Sequence, residues 1–257
     1  MGGEPRRGEM KVLLIDHETS PFEGFVWGKY EQNVIEFTRY AQIICTAWKW
    51  LGEKTVHAVS QADLPGYTAG KLNDKGLVKL VWDLFDKADV IIAHNGDRFD
   101  IKVSNARFVF HRLSPPSHYQ TVDTKKVAKK IGMFPSNKLG ELGPYVGEGT
   151  KLQTGGFDLW KRCMDGDVSA WRKMKSYNKQ DVVLLEDVYL KLLPWIERHP
   201  NRNVFNREPF GCPKCGSRQT QRRGDAVTAT GRKARYQCMS CGGWSSGKTQ
   251  QANIILR

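Results

Sequence analysis

Four consecutive apolar residues lead directly into two carboxylates near the start of this chain. Residues 12–15, with the sequence VLLI, contain no polar break and predict a buried strand. Asp16 and Glu18 follow with one residue between them, so on a strand their side chains point to the same face. Two like charges this close disfavour each other's ionisation unless a cation lies between them, and a hard divalent metal is the usual cation. The alternative is a solvated strand end that carries two unrelated acids.

The charge of the chain narrows the choice of partners. Its 257 residues carry 40 Lys and Arg against 27 Asp and Glu, and this net charge of +13 indicates a polyanionic partner. Charge alone does not separate a nucleic acid from a generally basic surface. No stretch reaches the apolar length of a membrane span, and the first residues lack the apolar core of a signal peptide. We therefore expect a cytoplasmic location and no membrane partner.

Strand and helix patterns alternate over most of the chain. Short apolar runs predict strands at residues 11–15, 41–50, 56–60, 90–93 and 120–123. Apolar residues at helical spacing predict helices at residues 77–88, 101–111, 124–131, 138–145, 167–175 and 176–195, with loops at 21–38 and 147–156. Alternating strands and helices predict an α/β fold around one sheet. The hairpin formed by the second and third strands indicates that this sheet is mixed and flanked by helices.

Two further acids are placed where they can join the opening pair. Asp100 ends the block HNGDRFD, which follows the strand at residues 90–93. Tyr177 and Asp181 are four residues apart in a predicted helix, and their shared face continues through apolar residues toward the core. A carboxylate on such a face is costly unless it is paired or binds a metal. Four converging carboxylates can hold two divalent ions about 4 Å apart, although each acid taken alone is more often a surface charge.

Three sequence blocks, LLIDHET, HNGDRFD and YNKQD, resemble in this order the exonuclease motifs of the DEDD superfamily. This is the family of polymerase proofreading domains, which has a ribonuclease H-like fold. The third block is similar to the tyrosine subtype of the family. The stretches AWKWLGEKTVHAVS and SNKLGELGPYVGEGTKL are similar to the stand-alone 3′–5′ exonucleases of bacteriophages and bacteria. The resemblance covers residues 10–197 and implies an exonuclease domain at residues 10–199, in a bacterial or phage-infected cell.

The resemblance also implies a role for each residue of the predicted site. Asp16 would bridge two Mg²⁺ or Mn²⁺ ions, and Glu18 and Asp181 would complete the site of the ion that activates the nucleophile. Asp100 would serve the second ion, and Tyr177 would orient the attacking water. All five residues are present in the chain, so nothing in the motifs indicates a degenerate enzyme.

Other residues of the motif blocks have less specific interpretations. Asn95 and Phe99 are expected to shape the pocket for nucleic acid, or else to be a loop cap and a core aromatic. His17 and His94 stay outside the predicted catalytic set, because in this family the tyrosine takes the place that a histidine has in the sister subtype. Asp123 ends a strand before a helix and is predicted to be an N-cap.

Four cysteines near the end of the chain predict a metal site. Cys212 and Cys215 form one C-x-x-C pair, and Cys238 and Cys241 form a second pair after 22 intervening residues. Each short spacing lets one turn present two thiolates, and two such turns complete a tetrahedral site without an open position. We therefore predict one structural Zn²⁺ and a small β module, similar to a zinc ribbon, at residues 206–257. Two disulfides are the alternative.

Most of the excess positive charge lies in this second predicted domain. Residues 206–257 contain ten Lys and Arg but two acids. Phosphate-backbone contacts are expected from its basic side chains, namely Arg222, Arg223, Arg232, Lys233 and Arg235. Aromatic residues of the module, such as Trp244, are candidates for stacking on bases. The alternative is a module that only folds and docks, with solvated charges.

Together these patterns predict a two-metal 3′–5′ exonuclease that acts on DNA, most simply on single-stranded ends, with a zinc ribbon that helps to bind the substrate. The polarity and the preference for DNA come from the family resemblance. The alternatives are an exoribonuclease, a structure-specific endonuclease, or a nucleic-acid-binding adaptor without catalysis. Nucleic acid is the expected partner, and replication or recombination proteins are candidate protein partners.

Overall fold

The structure, a computed structural model, describes residues 10–251 except residues 31, 32, 153, 207 and 230. The chain divides into two compact units. Among the described residues, the first unit contains Lys11–Lys126 and Phe134–Val188, and the second contains Met10, Val127–Met133 and the chain from Tyr189 onward. The predicted domains at residues 10–199 and 206–257 stay a prediction, and residues 207, 230 and 252–257 of the second one lie outside the described part of the chain.

The described strands, in chain order, are β1 (Val12–Thr19), β2 (Glu23–Phe25), β3 (Glu36–Arg39), β4 (Ile43–Trp50), β5 (His57–Ser60), β6 (Val90–Ala93), β7 (Gln120–Asp123), β8 (Thr220–Thr228), β9 (Gly231–Cys238) and β10 (Trp244–Gln251). The described helices are α1 (Lys75–Lys87), α2 (Asp100–Phe110), α3 (Thr124–Ile131), α4 (Leu139–Tyr145), α5 (Phe157–Met164), α6 (Val168–Leu192) and α7 (Asn203–Asn206), with 3₁₀ turns at Gln61–Asp63 and Leu193–Trp195.

Five of the described strands form the sheet of the first unit in the order β5-β4-β1-β6-β7. Strands β5, β4 and β1 pair antiparallel, whereas β1, β6 and β7 pair parallel. The prediction of an α/β fold with a mixed sheet is therefore confirmed. Because β1 is central, its apolar residues are buried on both faces, which explains their uninterrupted run.

Each face of this sheet packs against helices. Ile43 belongs to a buried cluster with Val81 and Phe85 of helix α1, whereas the next residue, Ile44, packs with Trp171 and Met174 of helix α6. Adjacent residues of a strand point to opposite faces, so strand β4 contributes to both layers of the core. None of the described helices combines the length and the apolar composition that a membrane span requires.

Three parts of the chain differ from the sequence-based prediction. The segment predicted as a loop at residues 21–38 contains the paired strands β2 and β3. Helix α5 was not predicted, and the two predicted helices at 167–175 and 176–195 are one helix, α6, followed by a 3₁₀ turn. Strand β1 continues through Thr19, so the first two acids lie within the strand rather than beyond its end.

The second unit contains a three-stranded antiparallel sheet in the order β10-β9-β8. A turn that carries Cys212 and Cys215 precedes β8, and a turn that carries Cys241 connects β9 to β10. A small β module is therefore present where the cysteine spacing predicts one.

Candidate active site and cysteine cluster

Strand β1 presents Asp16 and Glu18 to one side and the intervening His17 to the other. The His17 ring is buried, and its Nδ1 and Nε2 atoms each lie 3.0 Å from a hydroxyl oxygen, of Thr46 and Ser104 respectively. Burial lowers the pKa of His17 to about 3, so the imidazole is neutral.

Strands β1 and β6 run parallel, which brings the end of β1 and the segment after β6 to the same edge of the sheet.

Helix α6 brings two polar side chains, Asp181 and Asn178, to the acids of β1. Oxygen atoms of Asp16, Glu18 and Asp181 all lie within 4.8 Å of one another. Asn178, which sequence reasoning did not identify, is buried, and its Nδ2 donates to Oδ2 of Asp16 at 2.6 Å. The amide thereby holds the Asp16 carboxylate in one orientation.

Asp100 lies beside this group without belonging to it. It is the first residue of helix α2, it is buried, and its Oδ1 accepts a hydrogen bond of 3.0 Å from the backbone N–H of His17. The three acids whose oxygens lie within 4.8 Å of one another do not include it. Its charge nevertheless contributes to raising the pKa of Asp16, so the two carboxylates share one electrostatic environment.

Burial raises the pKa of all four carboxyl groups above their ordinary values. The pKa of Asp16 is raised well above its usual range. Burial is the largest cause, and repulsion from Asp100, Glu18 and Asp181 adds to it. Burial raises the pKa of Glu18 to about 8 and that of Asp100 to about 7. Burial also raises the pKa of Asp181, although its contact with Lys151 acts in the opposite direction. A cation at this place would relieve the cost of ionising these groups.

Lys151 is the cation that the structure places against these acids, and sequence reasoning did not identify it. Its Nζ donates to Oδ2 of Asp181 at 2.5 Å and to the hydroxyl of Tyr177 at 3.3 Å. Burial acts to lower the pKa of Lys151, but the charge of Asp181 and the hydrogen bond to it outweigh burial and raise the pKa. A Cβ atom at Gly140 would lie 3.0 Å from the stem of Lys151, so glycine leaves the space that the stem occupies.

The donor set fits divalent metal ions. Asp16, Glu18 and Asp181 offer only carboxylate oxygens, which are the ligands that Mg²⁺ and Mn²⁺ prefer. Oδ1 of Asp181 is buried and has no hydrogen-bond partner among the described residues, although a buried carboxylate oxygen normally has one. A metal ion bound by these acids would satisfy that oxygen.

A cavity of about 550 Å³ opens beside the acids. Asp16 and Tyr177 line it together with three lysines, Lys125, Lys138 and Lys151. Burial, followed by the charge of Asp181, raises the pKa of Tyr177 to about 12, so its hydroxyl keeps its proton at neutral pH. The cavity therefore combines acids, a hydroxyl donor and ammonium groups that suit a phosphate backbone.

The loop after β6 forms another part of this region. His94 lines the cavity, and its Nε2 donates to the carbonyl of Asn137 at 2.8 Å while its Nδ1 lies 2.8 Å from the Thr124 hydroxyl. Asn95 has a positive φ of 67°, and its N–H donates to Oδ1 of Asp123 at 3.0 Å. The same oxygen of Asp123 accepts from the first turn of helix α3, as an N-cap does.

Phe99 is the other residue of this loop that the sequence associates with substrate. The residue is 40% exposed, so the ring does not lie in the core. The contact of Asn95 and Phe99 with nucleic acid stays a prediction.

The four cysteines of the second unit form one cluster. Their Sγ atoms lie within 4.8 Å of one another, with 3.8 Å between Cys212 and Cys241 and 3.6 Å between Cys215 and Cys238. A tetrahedral zinc site with Zn–S bonds of about 2.3 Å has sulfur atoms about 3.8 Å apart, whereas a disulfide needs about 2.05 Å. All four cysteines are free, so the cluster fits zinc binding and not a pair of disulfides.

Two similar turns build this cluster. The N–H of Gly216 donates to the carbonyl of Cys212, and the N–H of Gly242 donates to that of Cys238, each at 2.9 Å. Both glycines have a positive φ, of 78° and 75°, which a residue with a side chain rarely adopts. The glycine after each C-x-x-C pair is thus required by the turn that presents the thiols.

The predicted basic contacts of the module are not equivalent. Arg222 and Arg232 both pair with Asp225, at 2.9 Å and 3.6 Å. The guanidinium of Arg235 instead lies 5.9 Å from the ring centroid of Trp244.

The other two predicted basic contacts differ in exposure. Arg223 is exposed and Lys233 is half-buried. The contact of all five basic residues with nucleic acid stays a prediction.

Comparison with known proteins agrees with this architecture. A family model of the RNase_H superfamily matches residues 48–193, more than half of the chain. The match includes Asp100, Tyr177 and Asp181 but begins after Asp16 and Glu18. Among curated proteins, none matches this chain.

Among solved structures, the family B DNA polymerase from the hyperthermophilic archaeon Pyrobaculum calidifontis is similar, with a TM-score of 0.51 and 16% sequence identity. The similarity covers 76% of this chain and 26% of the polymerase chain, so this chain spans about a quarter of the polymerase. At this identity the likeness shows the fold alone.

Proposed function

This chain belongs to the RNase_H superfamily, and on that premise we propose that it is a metal-dependent 3′–5′ exonuclease that hydrolyses phosphodiester bonds of DNA. The superfamily supports a nuclease in general. The direction of cleavage and the preference for DNA are supported only by the resemblance of the three motif blocks, which contain Asp16, Asp100 and Asp181, to the exonucleases of the DEDD superfamily.

One observation carries the proposal. Three carboxylates from two separate elements, strand β1 and helix α6, bring their oxygens within 4.8 Å of one another beside a cavity lined by lysines. Such an arrangement is costly for a fold unless a cation neutralises it, because each buried charge raises the cost of the next. Asp16, Glu18 and Asp181 would therefore hold a divalent ion, and Asp100 would support a second.

When bound, the metal ions would lower the pKa of the attacking water and stabilise the leaving oxygen. The water oxygen forms a bond to phosphorus, the bond from phosphorus to the 3′ oxygen breaks, and the 3′ oxygen takes up a proton. Tyr177 keeps its proton at neutral pH and can donate a hydrogen bond to the scissile phosphate or orient the water. Asn178 holds the Asp16 carboxylate in place through its hydrogen bond of 2.6 Å.

The lysines of the cavity would bind the phosphate groups of the substrate. Lys125, Lys138 and Lys151 line the same cavity as Asp16, so phosphates near the scissile bond meet positive charge. In the second unit, we propose that the cysteine cluster holds one structural Zn²⁺ and that the basic module contacts nucleic acid.

The proposal is tested by degradation of a 5′-labelled single strand, offered as DNA and as RNA of the same sequence, with Mg²⁺ or Mn²⁺. We expect a ladder that shortens from the 3′ end of the DNA. Asp16→Ala and Asp181→Ala should abolish nucleotide release while DNA binding persists. Asp158→Ala, which changes an exposed acid of helix α5, is the matched control and should retain activity.

Other outcomes identify the alternatives. Full activity in both Asp16→Ala and Asp181→Ala would overturn the assigned site. A single internal cut indicates a structure-specific endonuclease, and preferential degradation of the RNA strand indicates an exoribonuclease. Binding without cleavage under any metal condition indicates a nucleic-acid-binding adaptor.

A further inference from the structure

The second unit contains a cavity of about 690 Å³ that shares no lining residue with the cavity beside the acids. It lies between the segment that follows helix α6, around Trp195, and the three-stranded module. Its volume is in the range of pockets that bind a small molecule or one part of a larger ligand.

Aromatic rings form part of the lining. Trp195 is 65% exposed and Trp244 is 49% exposed, although both line the cavity. Exposed apolar surface that is grouped in a cavity, unlike a single exposed residue, often marks a binding site. Both indoles therefore offer surface on which a flat ligand can stack.

The charges at the cavity favour an anionic ligand. Arg235 lines it, and this guanidinium forms no ion pair within 4 Å with any acid of the described residues. Asp225 lies close enough to Arg235 for an electrostatic interaction. The ion pairs of Asp225, however, are with Arg222 and Arg232. The positive charge of Arg235 is thus available to a ligand.

The other polar groups of the lining do not oppose an anion. Glu197 is the acid of the lining, and it pairs with Lys130 at 2.6 Å. The ammonium of Lys214 donates to the carbonyl of Pro194, so its charge stays at the cavity. Two serines of strand β10 add hydroxyl groups.

We infer that this cavity binds an unpaired base of single-stranded nucleic acid, with the base stacked on Trp244 and its phosphate at Arg235. Aromatic stacking beside a cation is the usual way in which proteins hold single strands without reading their sequence. The excess of ten Lys and Arg over two acids in residues 206–257 suits the same ligand. The choice of nucleic acid as the ligand rests on the proposed function, whereas the cavity and its lining residues do not depend on it.

A proline-rich peptide is the rival occupant, because aromatic grooves also bind such peptides. The charge of Arg235 and the net positive charge of the module favour the nucleic acid over an uncharged peptide. Both ligands are therefore included in the test.

The test measures binding in the full chain with zinc retained, in an Asp16→Asn background that separates binding from cleavage. An oligothymidine of about ten nucleotides is titrated while tryptophan fluorescence is recorded. Trp244→Ala and Arg235→Ala should each weaken binding by roughly tenfold, and Trp244→Phe should retain most of it. Arg218→Ala, in the same module but paired with Glu208 at 2.6 Å, is the matched control and should have a smaller effect than Arg235→Ala.

Each outcome decides the inference. Unchanged affinity in Trp244→Ala and Arg235→Ala, with melting temperatures and zinc contents equal to those of the parent, overturns it. Saturable binding of a proline-rich peptide without binding of the oligonucleotide overturns it as well. Cleavage by the unsubstituted chain is measured separately, so a failure of the proposed nuclease activity is distinguished from a failure of this site.

Discussion

The Nζ atom of Lys151 lies 2.5 Å from Oδ2 of Asp181, while Oδ1 of the same carboxylate is buried without a hydrogen-bond partner among the described residues. One half of this carboxylate is thus neutralised from within the chain, and the other half is open to a further cation. Lys151 therefore stabilises Asp181 in the metal-free protein, and we expect it to compete with a metal for this carboxylate.

Lys151→Ala should lower the stability of the metal-free protein and increase its response to metal. The substitution leaves the buried Asp181 without its partner, at a cost of about 1–3 kcal/mol once the partial exposure of Lys151 is considered. The melting temperature in chelator should fall, and the increase caused by Mn²⁺ should exceed that of the unsubstituted protein. Thermal unfolding with and without Mn²⁺ measures both effects.

Lys138→Ala is the matched control for this prediction. Lys138 lines the same cavity, but its side chain is 81% exposed and its partner is Glu141 at 3.7 Å. It should change neither the stability nor the response to Mn²⁺. Identical behaviour of Lys151→Ala and Lys138→Ala would contradict the role of Lys151.

The metal-free protein should lose stability as the pH rises. Burial raises the pKa of Glu18 from 4.5 to about 8, so the folded state binds this proton more tightly than the unfolded state does. The stabilisation is fully present below pH 4.5 and is lost as the pH rises through about 8. We expect the melting temperature in chelator to fall by several degrees across this window.

Glu18→Gln isolates this contribution, because the amide does not titrate. Its melting temperature should depend less on pH than that of the parent when both are measured in chelator, where any loss of zinc affects them equally. A pH dependence as steep as that of the parent would show that other groups cause it.

Tyr177→Phe should slow cleavage without weakening metal binding. The hydroxyl keeps its proton because the pKa of Tyr177 is about 12, so it acts as a hydrogen-bond donor and not as a base. Loss of such a group costs on the order of 10²-fold in rate. The shift of the melting temperature with Mn²⁺ and the shape of the pH–rate profile should stay as they are.

Tyr67→Phe provides the control, since the hydroxyl of Tyr67 accepts from Trp171 at 3.0 Å and is not among the residues that line the cavity. Its cleavage rate should be close to that of the parent. Equal rates for Tyr177→Phe and the parent would remove Tyr177 from the mechanism.

The spacing of residues along the chain was enough to predict the strand and the helix that contain most of the candidate site residues. The alternation of β1 places Asp16 and Glu18 on one face, and the spacing in α6 places Tyr177 and Asp181 on one face. Both patterns depend on backbone geometry alone. The C-x-x-C turns were predictable from the spacing of the cysteines, whereas the positive φ of the glycine after each pair is a finding of the structure.

Contacts between distant segments were not predictable in this way. Lys151 lies in a loop without periodicity, and its position depends on the space that Gly140 leaves for its stem. Asn178 is one polar residue among several in α6, and only the packing of the helix on the sheet brings it to Asp16. The hairpin of β2 and β3 lacks a clean alternation, so the sequence favoured a loop there.

The cysteine cluster should contain one zinc ion per chain, and its loss should unfold the module. Binding of structural zinc contributes on the order of 10–16 kcal/mol, which is comparable with or larger than the stability of a whole small domain. Cys238→Ser removes one of four thiols, so we expect loss of zinc by metal analysis and rapid tryptic cleavage within residues 211–251. Cys163→Ala changes a buried cysteine outside the cluster and should retain the zinc. Zinc-free protein whose cysteines resist alkylation until they are reduced would instead support two disulfides.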